Sequence, residues 1–266
     1  MKVGIIGVGS MGQNHVRVYH QLGAEIVGIA DLNEERARKI AAHHGTVAFT
    51  SYRELLAQHP DAVSVAVPTP LHKEVALAAI EQGVNLLVEK PIADSMADGE
   101  EIVIAARDAG LKLMVGHIER FNPAVRKLKE IVEQGALGRL LLLSARRVGP
   151  SSARAAQAGI MTDSATHDID IARYIIGREP GEVFAKVRGI RNEKGDCALV
   201  LLDFGDVSAS LEVNWFTPHK VRTLVATGTE GIAYLDYIEQ TLEVHNAGWK
   251  MVPRFEKEEP LKLELE

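Results

Sequence analysis

A single cysteine, Cys197, is all the thiol the chain carries. One thiol excludes both an intramolecular disulfide and a zinc site built on cysteines, and it fits a reducing, cytoplasmic compartment. Positive charge is in deficit as well: 30 Lys and Arg stand against 36 Asp and Glu, a formal net charge of -6. That balance gives no general attraction for phosphate backbones, so nucleic acid is not an expected partner. Long apolar runs are lacking too. The N-terminal stretch over 2–8 is interrupted by Gly4 and Gly7, and then by Gly9 and Gly12, before a signal-peptide core or membrane span can form, so it reads as a buried strand and no membrane association is expected. Nor is there an internal repeat, a low-complexity tract or a long flexible linker. What remains is an ordinary globular composition, 46% hydrophobic and 25% charged over 266 residues, a length that favours two domains.

From Val3 to Val115, short apolar runs alternate with amphipathic helical patterns, which predicts repeated strand-helix-strand units and a doubly wound parallel sheet. Strands are expected over 2–6, 25–30, 62–66, 85–88 and 112–115. Helices are expected over 33–43, 71–82 and 95–109, with Gly83 and Gly110 as stop signals. After about Arg120 the rhythm changes. A helix over 123–134, an apolar run over 140–144 and a helix over 164–176 lead into strands with no helices between them. Val207, Ala209, Leu211, Val213 and Trp215 alternate with more polar residues, the mark of a strand with one core face, while Gly205-Asp206 and the pair Gly228 and Gly231 mark tight turns. The expected fold class is α/β: an N-terminal Rossmann dinucleotide-binding domain over 1–119, then an α+β domain with a mostly antiparallel open sheet over 120–266.

Gly7-Val8-Gly9-Ser10-Met11-Gly12 fits GxGxxG between an expected strand and an expected helix. The first glycine permits a tight turn, the second lets a pyrophosphate approach the backbone, and the third lets helix and strand pack closely; the helix N-terminus then offers free N–H groups. Asp31 closes the next strand, where an acid that hydrogen-bonds the adenosine ribose belongs. A carboxylate there repels an added phosphate, so NAD is expected in preference to NADP. Gly7, Gly9, Ser10, Met11, Gly12 and Asp31 are the expected cofactor contacts. Taken singly, the glycine motif also fits a plain strand-to-helix turn, and Asp31 a helix cap.

Glu89-Lys90-Pro91 follows an apolar strand directly, which puts a lysine at the ligand edge of an α/β sheet. A lysine there can hydrogen-bond a substrate hydroxyl and stabilise the alkoxide that develops as hydride leaves; without the surrounding pattern it reads as a solvated surface lysine. Asp163 and His167 open the helix of the second domain four residues apart, on one face. A neutral imidazole oriented by a carboxylate is a proton acceptor near neutral pH, with Lys90 as the alternative base, whereas the structural alternative is an N-cap and a packed helix residue. Asp168 and Asp170 stand close by, but no second histidine accompanies them and no metal is expected.

These motifs, in this order, resemble the family of glucose-fructose oxidoreductases, inositol dehydrogenases and rhizopine-catabolism proteins (Gfo/Idh/MocA). The resemblance covers nearly the whole chain. It is carried by the glycine motif with Asp31, by Val67-Pro68-Thr69-Pro70-Leu71-His72, by Val88-Glu89-Lys90-Pro91, by Gly116-His117-Ile118-Glu119-Arg120-Phe121-Asn122-Pro123 and by the stretch from Asp163 to Gly177. It implies an NAD-dependent oxidoreductase that moves hydride to or from a secondary alcohol of a sugar, inositol or nucleotide sugar. It also implies a homodimer or homotetramer and an active site of Lys90, Asp163 and His167 at an interdomain cleft. Further cofactor contacts are implied at Pro68, Thr69, His72 and Glu89, and substrate contacts at Lys90, Arg120, Asn122, Arg146 and His167. The stretches 115–123 and 144–150 are most similar to UDP-N-acetylglucosamine 3-dehydrogenases and related nucleotide-sugar enzymes, in which Arg146, Arg147 and Arg154 would supply charge for a diphosphate. Two departures stand out: Ala165 replaces a frequent glycine, and the helix with which such proteins continue past the position of Glu266 is expected to be absent. The same fold also accommodates a non-catalytic NAD(H)-binding sensor and an imine or amino-acid reductase.

Overall fold

The computed structural model describes residues 1–150 and 158–266. The chain divides into two compact units, Met1–His117 with Leu261–Glu266, and Ile118–Pro260. The sequence reading sets the boundary two residues later and leaves 261–266 in the second domain; the structure groups that segment with the first unit.

In the first unit, β1 (Lys2–Ile6), β2 (Glu25–Ala30), β3 (Ala48–Phe49), β4 (Ala62–Val65), β5 (Asn85–Glu89) and β6 (Leu113–Gly116) form a parallel sheet in the order β3-β2-β1-β4-β5-β6. Helices α1 (Ser10–Gln21), α2 (Glu34–His44), α3 (Tyr52–Leu56), α4 (His72–Glu81) and α5 (Met96–Asp108) connect them. Val3, Ile5 and Ile6 of β1 are buried, as expected of a central strand covered on both faces. The strand order reverses at β1, and ligands of such sheets bind at the carboxyl ends of the strands beside that point. Local signals place the helix starts: Asn33 accepts from the Arg36 N–H, and Ser95 from the Asp98 N–H. Strand β3 and helix α3 escape the sequence reading because two and five residues are too few to display a period.

In the second unit, β7 (Leu140–Val148), β8 (Glu182–Arg188), β9 (Cys197–Asp203), β10 (Ser208–Asn214), β11 (Val221–Gly228), β12 (Ile232–Asp236), β13 (Thr241–His245) and β14 (Lys250–Met251) lie in the order β14-β13-β12-β11-β7-β10-β9-β8. Among the described residues only the β7 and β10 pairing of this sheet is parallel. Helices α6 (Pro123–Glu133) and α7 (Thr166–Ile176) cover one face, burying Leu128, Ile131, Ile171 and Ile175 against Leu143, Leu202, Leu211 and Leu224. The expected single helix over 164–176 is divided, because Met161–Ala165 forms a π-helical turn ahead of α7. On the other sheet face Leu199, Leu201 and Phe184 are exposed, Phe184 by 66%. The two faces follow from β9 itself, whose Ala198, Val200 and Leu202 point inward and whose Leu199 and Leu201 point outward. Helix α8 (Pro260–Leu265) ends the chain, and its Leu261, Glu264 and Leu265 are buried. Among the described residues no helix is long and apolar enough to cross a membrane.

Candidate active site

The glycine motif forms a cradle whose three glycines do different work. Gly7 has φ +88°, a conformation that L side chains rarely adopt, and a Cβ there would come within 2.7 Å of the Ala66 and Val67 backbone. A Cβ on Gly12 would run into the Gly7 carbonyl oxygen, so this glycine lets α1 approach β1. A Cβ on Gly9, by contrast, would meet nothing within 4 Å. Gly9 is also the N-cap of α1 and supplies no side-chain cap, so the first-turn N–H groups face open space, as a pyrophosphate requires. Ser10 and Met11 lie on this first turn and are not buried. The cradle fits a dinucleotide.

Asp31 is buried beside it and accepts hydrogen bonds from the Val8 N–H at 2.9 Å and the Asn33 N–H at 2.8 Å. The Arg36 guanidinium grips both carboxylate oxygens. Burial alone would raise the Asp31 carboxyl, but Arg36 and the two N–H groups outweigh it and hold the carboxyl below its ordinary value. A groove of about 750 Å³ between α1 and α2 runs alongside, lined among others by Asn14, Arg17, Asn33, Arg36 and Lys39.

Strand β5 delivers Lys90 to the carboxyl edge of the sheet, where the half-buried lysine precedes a cis peptide bond to Pro91. Glu89 and His72, expected at the cofactor, support this edge. Glu89 is buried, with Oε1 accepting from His15 Nε2 at 3.0 Å and Oε2 from the Lys90 N–H at 3.2 Å. His72 is buried with one ring nitrogen 2.9 Å from the Pro91 carbonyl and the other 3.0 Å from that of Val67, so it ties the loop after β4 to the Lys90-Pro91 turn. Pro68 and Thr69, in that loop, are not buried and remain available to a ligand. His15 is the residue that sequence reasoning missed. Its signal is a histidine on the core-facing stripe of α1 with Gly12, Val16 and Tyr19, where a buried polar ring needs a partner.

In the second unit, Asp163 lies in the π turn and His167 in the first turn of α7, both half-buried. Ser164 Oγ donates to Asp163 Oδ2 at 3.0 Å, and Trp215 Nε1 donates to Ser164 Oγ at 3.3 Å. Three residues expected at the substrate have other commitments. Arg120 forms a two-point ion pair with Asp170, at 2.7 and 2.5 Å, and lies over the Tyr174 ring. Asn122 is 1% exposed, caps α6 by accepting from the Ala124 N–H, and donates to the Tyr237 carbonyl at 3.1 Å. Arg146 and Arg147 point to opposite faces of β7, as neighbours on a strand must. Arg147 faces the helices and binds both oxygens of Asp168 and one of Glu119, whereas Arg146 lies on the uncovered face in an ion pair with Glu212 at 3.0 Å. That placement takes Arg146 away from the helix-covered side that carries His167. Burial opposes the charge on Arg147, but Asp168 and Glu119 more than offset it and hold the guanidinium protonated. Arg154 lies outside the described residues.

Residues 1–117 match the family described as "Oxidoreductase family, NAD-binding Rossmann fold", and residues 125–234 match the "GFO/IDH/MocA C-terminal domain". The UDP-N-acetylglucosamine 3-dehydrogenase of Acidithiobacillus ferrooxidans is 32% identical over 255 residues, which are 95% of this chain and 79% of that protein. A solved structure of the UDP-N-acetylglucosamine 3-dehydrogenase from Acidithiobacillus ferrooxidans superimposes with a TM-score of 0.92 at 29% identity, covering 100% of this chain and 86% of that one. A levoglucosan dehydrogenase solved with NADH and levoglucosan gives 0.85 at 27% identity, with 95% and 79% covered.

Proposed function

The chain belongs to the Gfo/Idh/MocA family of NAD-binding oxidoreductases, and from that premise we propose that it is a dehydrogenase of a nucleotide sugar, acting on a secondary hydroxyl such as the 3-hydroxyl of UDP-N-acetylglucosamine. The observation that carries the substrate class is the likeness to the UDP-N-acetylglucosamine 3-dehydrogenase, which runs through both units at a TM-score of 0.92. Gly7, Gly9, Ser10, Met11, Gly12, Asp31, Pro68 and Thr69 hold the cofactor in this reading. When bound, NAD supplies the hydride acceptor. His167 takes the proton of the substrate hydroxyl, Asp163 holds the imidazole in the accepting orientation, and Lys90 stabilises the developing oxyanion. Glu89 and His72 act one step back, by fixing the β5 edge on which Lys90 stands. In cells the reaction can run in either direction.

A homodimer or homotetramer belongs to the same reading, because the uncovered sheet face presents Phe184, Leu199, Leu201 and Tyr234 to solvent. The lone cysteine supports a cytoplasmic setting. The test of the substrate class is NADH formation across UDP-sugars, free hexoses and inositols. Turnover is expected to be fastest with a UDP-sugar; turnover confined to inositols or free hexoses overturns the substrate class. Turnover confined to amines or imines makes the protein a reductase of another kind, and NADH binding without turnover of any of these makes it a sensor.

A further inference from the structure

Trp215 and Asp163 lie 52 positions apart in sequence, yet one side chain, that of Ser164, touches both. The indole Nε1–H of Trp215 donates to Ser164 Oγ at 3.3 Å, and the Ser164 hydroxyl lies 3.0 Å from Asp163 Oδ2. The direction of this chain is fixed by chemistry. An indole nitrogen only donates and an ionised carboxylate only accepts, so the hydroxyl must accept from the tryptophan and send its own proton to the aspartate.

Trp215 is well held for such a task. It packs against the small cluster of Ile160, Ala165, Ala198 and Val213, and its own N–H donates to the Asp196 carbonyl at 3.0 Å. Asp196 is in turn anchored by three backbone N–H groups, from Ile190, Arg191 and Asn192. The Ile160 N–H, which leads into the π turn, donates to the Gly195 carbonyl of that same loop. Both ends of the chain of hydrogen bonds are therefore fixed to one piece of scaffold. The π turn matters as well, since it sets where Asp163 and Ser164 stand relative to the start of α7.

We propose that Trp215 and Ser164 are positioning residues for catalysis: the relay from Trp215 through Ser164 fixes the Asp163 carboxylate in one orientation, so that it can orient His167. This rests on the assignment of Asp163 and His167 to the reaction made above. A hydrogen bond to a charged acceptor is short and strong, and a side chain so held does not rotate away from its partner.

The test compares S164A, S164T and W215F with D163N and H167N, using the intact protein and its best substrate. In S164A, kcat is expected to fall about ten- to a hundredfold, the range of one hydrogen bond to a charged group, with KM and the NADH dissociation constant nearly unchanged. W215F should show the same loss in smaller measure, and S164T, which keeps the hydroxyl, should restore the rate. The double variant D163N/S164A should be no slower than D163N alone, since Ser164 acts only through Asp163. If D163N and H167N lose turnover while S164A and W215F keep the wild-type kcat, the relay is wrong and the site stands. Additive losses in the double variant also overturn the relay, by giving Ser164 a purely structural role. If D163N and H167N turn over normally, the site itself is wrong, and the relay falls with it.

Discussion

The Arg36 guanidinium clamps the Asp31 carboxylate from two points, Nε at 3.2 Å from one oxygen and Nη2 at 2.6 Å from the other. An acid at the end of β2 selects NAD by accepting from the ribose hydroxyls and repelling a 2′-phosphate, while a free arginine at the same place welcomes that phosphate. In the proposed reading Asp31 would act twice, once toward the ribose and once by occupying Arg36. The wild-type protein is expected to bind NADH more tightly than NADPH, and Asp31→Ala to narrow that gap by releasing Arg36 beside Arg17 and Lys39. Dissociation constants for both cofactors, measured by fluorescence titration on both proteins, decide it. Equal or tighter NADPH binding by the wild type contradicts the account.

Glu264 gives the fold a dependence on pH. Its residue is 5% exposed, both carboxyl oxygens are buried without a hydrogen-bond partner among the described residues, and burial followed by the charge of Glu89 pushes the carboxyl up to about 8. In an unfolded chain the same group releases its proton near 4.5. The folded chain thus holds a proton that the unfolded chain has lost. Its stabilising contribution is complete below the unfolded value and declines by up to about 1.4 kcal/mol per pH unit until the folded value is passed. Glu264→Gln keeps the shape and removes the proton, so its unfolding free energy should decline less than that of the wild type between about pH 5 and 8. Urea unfolding of both proteins across that window checks this, and parallel pH dependences would refute it.

Leu201 and Phe184 are opposed across β8 and β9 on the uncovered sheet face. Solvated apolar side chains on a broad sheet face are costly, and covering them with a second copy of the chain removes that cost. Leu201→Asp is expected to lower the molar mass seen by light scattering from that of an oligomer to that of a monomer, while circular dichroism stays native. A wild-type protein that is already monomeric in dilute solution, or a variant with unchanged mass, contradicts this.

The strands and helices of the first unit were legible in the sequence because most are long enough to show a period and are closed by glycines at the expected places. The glycine motif was equally legible, since Gly7 and Gly12 answer local steric demands and Gly9 leaves the cradle open. What escaped was decided by distant partners. Nothing near Glu89 announces that His15, 74 positions earlier, will take its carboxylate, and nothing near His72 announces the Pro91 carbonyl. Arg146 is a different case: once 140–148 is recognised as a strand, the two-residue period alone sends it to the face opposite Arg147. The link from Trp215 to Ser164 spans 51 positions, and only the packing of β10 against the π turn creates it.

The division of labour between Lys90 and His167 is the centre of the account, and kcat measured against pH for Lys90→Met, His167→Asn and Asp163→Asn, with NADH dissociation constants alongside, tests it most directly. His167→Asn should lose about a hundredfold to ten-thousandfold in rate, the usual range for removing a general base, and its residual rate should rise with pH as hydroxide substitutes. Lys90→Met should lower kcat with little change in NADH affinity, and Asp163→Asn should be the mildest of the three. Near-normal turnover in both Lys90→Met and His167→Asn would contradict the proposed chemistry, and loss of NADH binding in step with turnover would show that these residues serve the cofactor instead.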